Sequence, residues 1–311
     1  MSPIVSIIIP CLNEKDNIEP LYHKITAQFT SKYRPEIIFI DDGSTDGTLQ
    51  KIKQLAASNP CIKFISFSKN FGHQIAIKAG LDYATGACAI TMDADLQHPS
   101  SIIPEMLKTW ENGFKIVQSK RSNKNTSVGK KITASLFYKI INSLSDINLQ
   151  QGSADFRLLD RSVIKVAKNF TEQDLFWRGL TSWMGFKTKT IGYDPEDRLH
   201  GQTKYPFKQM LKFAISGITS FSVKPLRIAI YLGLVLAFLS LIYAAYAISL
   251  FVFTNEPVQG WTSLLVSILF IGGLQLFILG VIGEYLGKLF MQSKSRPLYI
   301  IQEQNLHAQN Q

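Results

Sequence analysis

A chain of 311 residues holds one large or two modest domains, and its 46% hydrophobic content is concentrated in the C-terminal third. The cysteines, Cys11, Cys61 and Cys88, are odd in number and lack metal-ligand spacing, which argues against a disulfide framework and fits a reducing compartment. The net charge of +10 comes without a nucleic-acid motif or an aromatic-basic repeat, so nucleic acid is not an expected partner and anionic membrane lipid is the simpler one.

Apolar runs and helix-like stretches alternate over the first 92 residues. VSIIIP (5–10), EIIFID (36–41), IKFISF (62–67) and ACAITMD (87–93) are predicted strands, and amphipathic segments over 17–30, 47–58 and 72–83 are predicted helices between them. This alternation implies right-handed crossovers and an α/β, Rossmann-like, mostly parallel sheet, with ligands at the carboxyl ends of the strands. A helix over 99–112, stopped by Gly113, and a strand over 114–121 follow. Residues 122–127 are turn-like, 128–144 helical, 152–159 return to the site, and 160–169 and 175–183 are helical. This α/β domain ends near Arg198, giving a first domain over 1–200.

Residues 201–225 carry Phe207, Met210, Leu211, Ile215 and Ile218 at helical spacing, with Lys204, Lys208 and Lys212 along one side. That pattern suits a helix lying in the headgroup layer. Two transmembrane helices are predicted within 226–290, since 228–253 and 261–283 contain no charged residue and each exceeds the roughly 20 residues that cross a bilayer. Lys224 and Arg227 precede the first span, Lys288, Lys294 and Arg296 follow the second, and the turn between them has no Lys or Arg. The basic flanks place both termini in the cytoplasm, with 291–311 as a cytoplasmic tail of an inner-membrane protein. Gly273, Gly280, Gly283 and Gly287 offer small faces for helix packing, and homo-oligomerisation is expected through them.

Two acidic strand ends carry the chemistry. Asp93 and Asp95, two apart after a buried strand, share a face if the backbone stays extended and can then share a divalent cation. Asp41 and Asp42 end the second strand before Gly43, whose missing Cβ lets a ligand approach the backbone, and Asp46 is placed to cap the next helix. Pro10, Asn13 and Glu14 form the first turn, where backbone groups can hold a nucleobase; Glu14 either reaches a ribose or belongs to an ordinary helix start. His73 and His98 lie nearest this edge and are predicted to start helices rather than bind metal, because hard cations favour oxygen.

The set IIIPCLNE, FIDDGSTDGT, NFGHQIAIKAGLDYATG, MDADLQHP, SADFRLLD and RLHGQTKY, in this order and followed by two spans, resembles the family-2, GT-A-fold glycosyltransferases that load polyprenyl phosphate. Bactoprenol glucosyltransferases are the nearest kind and dolichol-phosphate mannose synthase a more distant one. The resemblance implies inverting transfer of a sugar, glucose by default, from a nucleotide sugar such as UDP-glucose to undecaprenyl phosphate. It also implies that Asp42, with Asp41 beside it, contacts the nucleoside, that Asp93 and Asp95 present Mg2+ or Mn2+ to the diphosphate, and that Gln97 completes their motif. Arg198 and Lys204 match the segment that grips phosphate; as isolated residues they read more readily as solvated surface charges. Asp155 matches the carboxylate termed the catalytic base, and the residues alone leave three roles for it: taking the residual proton, positioning the acceptor, or holding Arg157. Two other functions are weighed. A processive polysaccharide synthase needs Gln-x-x-Arg-Trp, and residues 173–177 lack the Arg at that place. A non-catalytic nucleotide-binding scaffold or lipid-sugar translocase fits poorly with two spans and an intact acidic triplet.

Overall fold

β-Branched residues crowd the N-terminal apolar runs, which are too short for helices and long enough for strands. The computed structural model describes residues 2–122, 142–144, 153–194, 219–220, 222–254 and 260–306. In it β1 (Ile4–Cys11), α1 (Ile18–Thr26), β2 (Arg34–Asp41), α2 (Thr48–Ser58), β3 (Ile62–Phe67), α3 (His73–Tyr83) and β4 (Cys88–Thr91) alternate as the pattern requires. A 3-10 turn at Ser100–Ile102 leads into α4 (Ile103–Glu111), then β5 (Ile116–Arg121), β6 (Ser153–Asp160), α5 (Arg161–Lys168), α6 (Trp177–Trp183) and β7 (Thr188–Tyr193). The predicted helix over 128–144 lies outside the described residues except for 142–144, which are helical.

With a last strand, β8, at Ile301–Gln304, the sheet runs β7-β5-β6-β4-β1-β2-β3-β8. β1 pairs in parallel with β2 and β4, β2 with β3, and β5 with β7, whereas β6 is antiparallel to both β4 and β5. Alternate side chains of β1 and β2 serve opposite faces. Ile7, Ile9 and Phe39 join the cluster that includes Ile18, Leu21, Ile52 and Met106. Ile8 and Ile40 face α3 instead, and a Cβ on Gly80 would stand 2.2 Å from Ile8 Cγ2, so glycine at that position sets how closely the helix lies on the sheet.

Residues beyond the second long helix supply β8 (Ile301–Gln304), antiparallel to β3. The Tyr299 ring stacks on Phe67 with centroids 5.2 Å apart, and its hydroxyl donates to Asp82 Oδ2 at 2.9 Å. A region read from sequence only as a tail thus closes one edge of the sheet.

A second unit is built on α7 (Lys224–Thr254) and α8 (Trp261–Ser293), two apolar helices long enough to cross a membrane. Large apolar side chains project along both, among them Phe238 at 65% and Leu276 at 71% exposure, an apolar surface that suggests membrane association. Within this unit the Tyr285 hydroxyl donates to the Ser222 carbonyl at 2.7 Å and Lys288 Nζ to Ser220 Oγ at 3.0 Å. The interfacial helix predicted over 201–225 lies outside the described residues apart from 219–220 and 222–225.

Candidate active site

Strand order reverses at β1, which has β4 on one side and β2 on the other, so the carboxyl ends of these three strands form a topological switch point, the place where open α/β sheets bind ligands. The loops after β1 and β2 are stitched together there. Asn13, at φ +57° in the left-handed region that Asn tolerates, donates its N–H to Ser44 Oγ at 3.0 Å and accepts from the Thr45 N–H at 2.9 Å. The Glu14 N–H donates to Thr48 Oγ1 at 2.9 Å, and the Glu14 carboxylate accepts from Asn17 Nδ2 at 2.5 Å. Asp46 accepts from the N–H of Thr48 at 2.9 Å and of Lys15 at 3.2 Å, so it does hold the start of α2. Pro10 is buried in β1 beside Ile40.

Asp41 and Asp42 are buried, at 1% and 3% exposure. Asp41 accepts from Ser66 Oγ at 2.9 Å and the Ser44 N–H at 3.2 Å; Asp42 accepts from the N–H groups of Phe71 at 2.6 Å and Gly72 at 3.0 Å. Burial pushes the Asp42 carboxyl up, and the two backbone donors only partly oppose it. Gly43, at φ +76°, also has a role other than the one expected. A Cβ there would stand 2.7 Å from the Lys69 carbonyl carbon, so the space is taken by the chain's own Lys69–Asn70 backbone rather than by a ligand.

The second acidic end is built differently. β4 stops at Thr91, so Asp93 and Asp95 lie in a turn rather than on extended strand, with Leu96 at φ +62°. Exposure still alternates: Asp93, Asp95 and Gln97 are partly exposed, while Ala94, Leu96 and His98 are buried. His98 does not start a helix. Its ring stacks on Phe156 with centroids 4.9 Å apart, and Nδ1 accepts the Asp93 N–H at 3.1 Å, which puts the ring proton on Nε2, 3.7 Å from Asp93 Oδ2. Asp95 Oδ1 accepts the Gln97 N–H at 3.1 Å and tightens the turn. His73 is the first residue of α3, as expected, and its Nε2 lies 3.4 Å from Asp93 Oδ1 and 3.8 Å from Asp155 Oδ2.

Asp155, on β6 and 8% exposed, accepts from Arg157 Nη2 at 2.7 Å, from Arg178 Nη2 at 3.1 Å and Nε at 3.3 Å, and from Gln74 Nε2 at 3.4 Å. Burial pushes its carboxyl up, but the guanidinium groups of Arg178 and Arg157, with His73, more than reverse this and hold it well below the usual carboxylate range. Such a carboxylate is a poor proton acceptor near neutral pH.

His73 thus lies between Asp93 and Asp155, Gln97 is tied to Asp95, and Asn13 and Glu14 are stitched to the loop after Asp41 and Asp42. Arg198 and Lys204 lie outside the described residues. Among the described residues no three His, Cys, Asp or Glu side chains are grouped so as to hold a metal ion. Two accessible carboxylates still fit a hard divalent cation, because Mg2+ is commonly bound by one or two carboxylates with substrate phosphates and water as its other ligands. Sequence reasoning missed Gln74 and Arg178 and assigned no contact to His73 or His98. Arg178 directly follows Trp177, yet no local pattern tells an arginine that crosses to a carboxylate 23 positions earlier from one that faces solvent.

The Rossmann-like sheet with an acidic turn at its switch point fits many activities, and sequence comparison gives the class as a glycosyltransferase. Glycosyl transferase family 2 matches residues 6–167, and the GtrB C-terminal hairpin matches residues 224–289. The chain belongs to glycosyl transferase family 2 and carries that hairpin. It is 42% identical over 300 residues to the prophage bactoprenol glucosyl transferase homolog of Escherichia coli (strain K12), covering 96% of this chain and 98% of that protein. It is 40% identical over 300 residues to the bactoprenol glucosyl transferase of Shigella phage SfX, at the same coverages. An uncharacterized glycosyltransferase of Bacillus subtilis (strain 168), YkcC, is 41% identical over 96% of this chain and 93% of its own length.

Proposed function

We propose that the chain is an inverting glucosyltransferase that moves glucose from UDP-glucose to undecaprenyl phosphate or another polyprenyl phosphate, at the cytoplasmic face of the plasma membrane. The observation that carries this reading is the extent of the similarity to bactoprenol glucosyl transferases, which spans sheet and hairpin alike over 96% of the chain. An oxygen of the acceptor phosphate attacks the anomeric carbon opposite the departing diphosphate. The carbon–oxygen bond to the diphosphate breaks, and its electron pair leaves with UDP. No covalent enzyme intermediate is needed, so positioning and charge stabilisation supply the catalysis.

Asp93 and Asp95, with Gln97 beside them, are the residues that would hold Mg2+ or Mn2+, which when bound offsets the charge of the donor diphosphate. Pro10, Asn13, Glu14, Asp41 and Asp42 shape the nucleoside side, and Arg198 and Lys204 are assigned to phosphate oxygens by their family motif. The apolar helices give the chain access to an acceptor whose tail lies in lipid. β7 precedes the first of them and β8 follows the second within one sheet, so a hairpin that crosses twice leaves and returns on the same side. The basic flanks favour the cytoplasm as that side. The open faces at Gly273, Gly280, Gly283 and Gly287, with no atom within 4 Å of a Cβ placed there, support association of hairpins from several copies.

The test is full-length protein in detergent with undecaprenyl phosphate, Mg2+ and a panel of labelled UDP and GDP sugars. A lipid-linked glucose from UDP-glucose is the expected product. No lipid-linked sugar from any donor would return the chain to the scaffold or translocase class.

A further inference from the structure

The turn that carries Asp93 and Asp95 is closed by a buried ring. Ala94, Leu96 and His98 are buried while Asp93, Asp95 and Gln97 are partly exposed, so the segment after β4 keeps an inner and an outer row although it is no longer strand. Leu96 stands at φ +62°, in the left-handed region that a residue with a Cβ rarely adopts, and such a conformation persists only where its surroundings hold it. The contact that closes the turn comes from His98, whose Nδ1 accepts the Asp93 N–H at 3.1 Å.

The place of that ring is set by the sheet. His98 is 7% exposed, stacks on Phe156 of β6 with centroids 4.9 Å and planes 22° apart, and meets the ring of Tyr193 of β7 edge-on at 5.9 Å. Phe156 and Tyr193 are themselves buried. A ring made only of carbon would satisfy both of these contacts. What imidazole adds is two nitrogens, and both are turned on one residue: Nδ1 holds the backbone of Asp93, and Nε2, which then carries the proton, lies 3.7 Å from Asp93 Oδ2.

We infer that His98 is a positioning residue of the cation site, fixing the backbone of Asp93 and the aim of its carboxylate before a cation arrives. The inference rests on the assignment of Asp93 and Asp95 to Mg2+ or Mn2+ made above. A carboxylate on an untied turn must be ordered by the cation it binds, and that ordering subtracts from affinity; a turn already closed on a ring packed into the sheet has little left to order. His98 acts through Asp93 and needs no contact with the substrate.

Variants of the full-length protein in detergent separate this role from packing, read by calorimetry as UDP affinity over a range of Mn2+ concentrations. His98→Phe keeps the stack and removes both nitrogens. The Mn2+ concentration that half-saturates its effect on UDP binding should rise about tenfold or more, while UDP affinity without metal stays within about twofold of wild type. His98→Asn loses the ring but places an amide oxygen where Nδ1 stands, and should hold that concentration within about threefold of wild type. Packing alone predicts the reverse order, because phenylalanine fills the site of the ring and asparagine leaves a hole. If His98→Phe does not fold, His98→Leu takes its place: it has the shape of asparagine without the acceptor, and should show the same rise relative to His98→Asn. Hydrogen–deuterium exchange without metal gives a second readout, with the Asp93 amide faster in His98→Phe and protected in His98→Asn.

A half-saturating Mn2+ concentration within about twofold of wild type in His98→Phe overturns the inference, as does a rise in His98→Asn that equals or exceeds it. So does an equal fall in UDP affinity with and without Mn2+, which marks a damaged nucleotide site rather than a mis-set carboxylate. A wild type whose UDP affinity ignores Mn2+ ends the cation assignment and the inference together, whereas a responsive wild type beside an indifferent His98→Phe ends only the inference.

Discussion

The two acidic strand ends look alike in sequence and are opposites in structure. Asp41 and Asp42 are sealed, with carboxylates spent on Ser66, Ser44, Phe71 and Gly72. Asp93 and Asp95 sit in a turn whose carboxylates are partly exposed and whose shape is set by His98. A buried aspartate whose oxygens hold the backbone builds the site, while a partly exposed one in a turn can be reached from solvent. Removing the first kind should cost mainly stability, and removing the second mainly activity.

The largest effect is expected at the partly exposed pair. Asp95→Asn should lower transferase kcat/KM by on the order of 10²–10³-fold, the scale of losing one preorganised electrostatic contact, with the melting temperature nearly unchanged. Steady-state kinetics beside thermal unfolding in the same detergent reads both. A smaller effect with the opposite signature belongs to Asp42→Asn, in which the amide nitrogen faces either the Phe71 or the Gly72 N–H. The cost is on the order of 1–3 kcal/mol of stability, visible in denaturant unfolding, with activity per folded molecule much less affected than in Asp95→Asn.

The smallest effect lies away from the site and calibrates the other two. Asp160 caps α5, accepting the Ser162 N–H at 2.9 Å and Trp110 Nε1 at 2.7 Å. Burial raises its pKa, but the bonds from Ser162, Trp110 and Lys115 dominate and hold it at about 2 against an ordinary 3.8. A depressed carboxylate pKa contributes stability that is complete above the unfolded value and lost as pH falls through the folded one. Asp160→Asn keeps the cap acceptor without the charge, so its deficit at neutral pH should be on the order of 1 kcal/mol and should shrink between about pH 4 and pH 2. Thermal unfolding of both proteins across that range checks the convergence.

Much of the fold was legible because β1 to β4 are dense in β-branched residues and the helices between them keep a 3.6-residue apolar rhythm. β8 was not: its sequence IQEQ has no apolar alternation, and it is a strand because β3 offers an open edge. β7 mixes exposed lysine with a buried isoleucine and depends likewise on its neighbour β5. At the site, the motif pattern placed both acidic pairs at one edge but gave no sign of which was sealed, since that depends on where the Phe71 and Gly72 amides point. The Asp155–Arg178 contact was invisible for a related reason. It joins a strand to a helix through a distance in sequence that no periodicity spans.

The most direct test of the contrast is UDP affinity measured by calorimetry with and without Mn2+ in wild type, Asp95→Asn and Asp42→Asn. Wild type and Asp42→Asn should both gain about tenfold or more in UDP affinity from Mn2+, and Asp95→Asn should gain nothing. A metal-dependent gain that survives in Asp95→Asn and disappears in Asp42→Asn would contradict the account, because the sealed pair would then be the one that serves the cation.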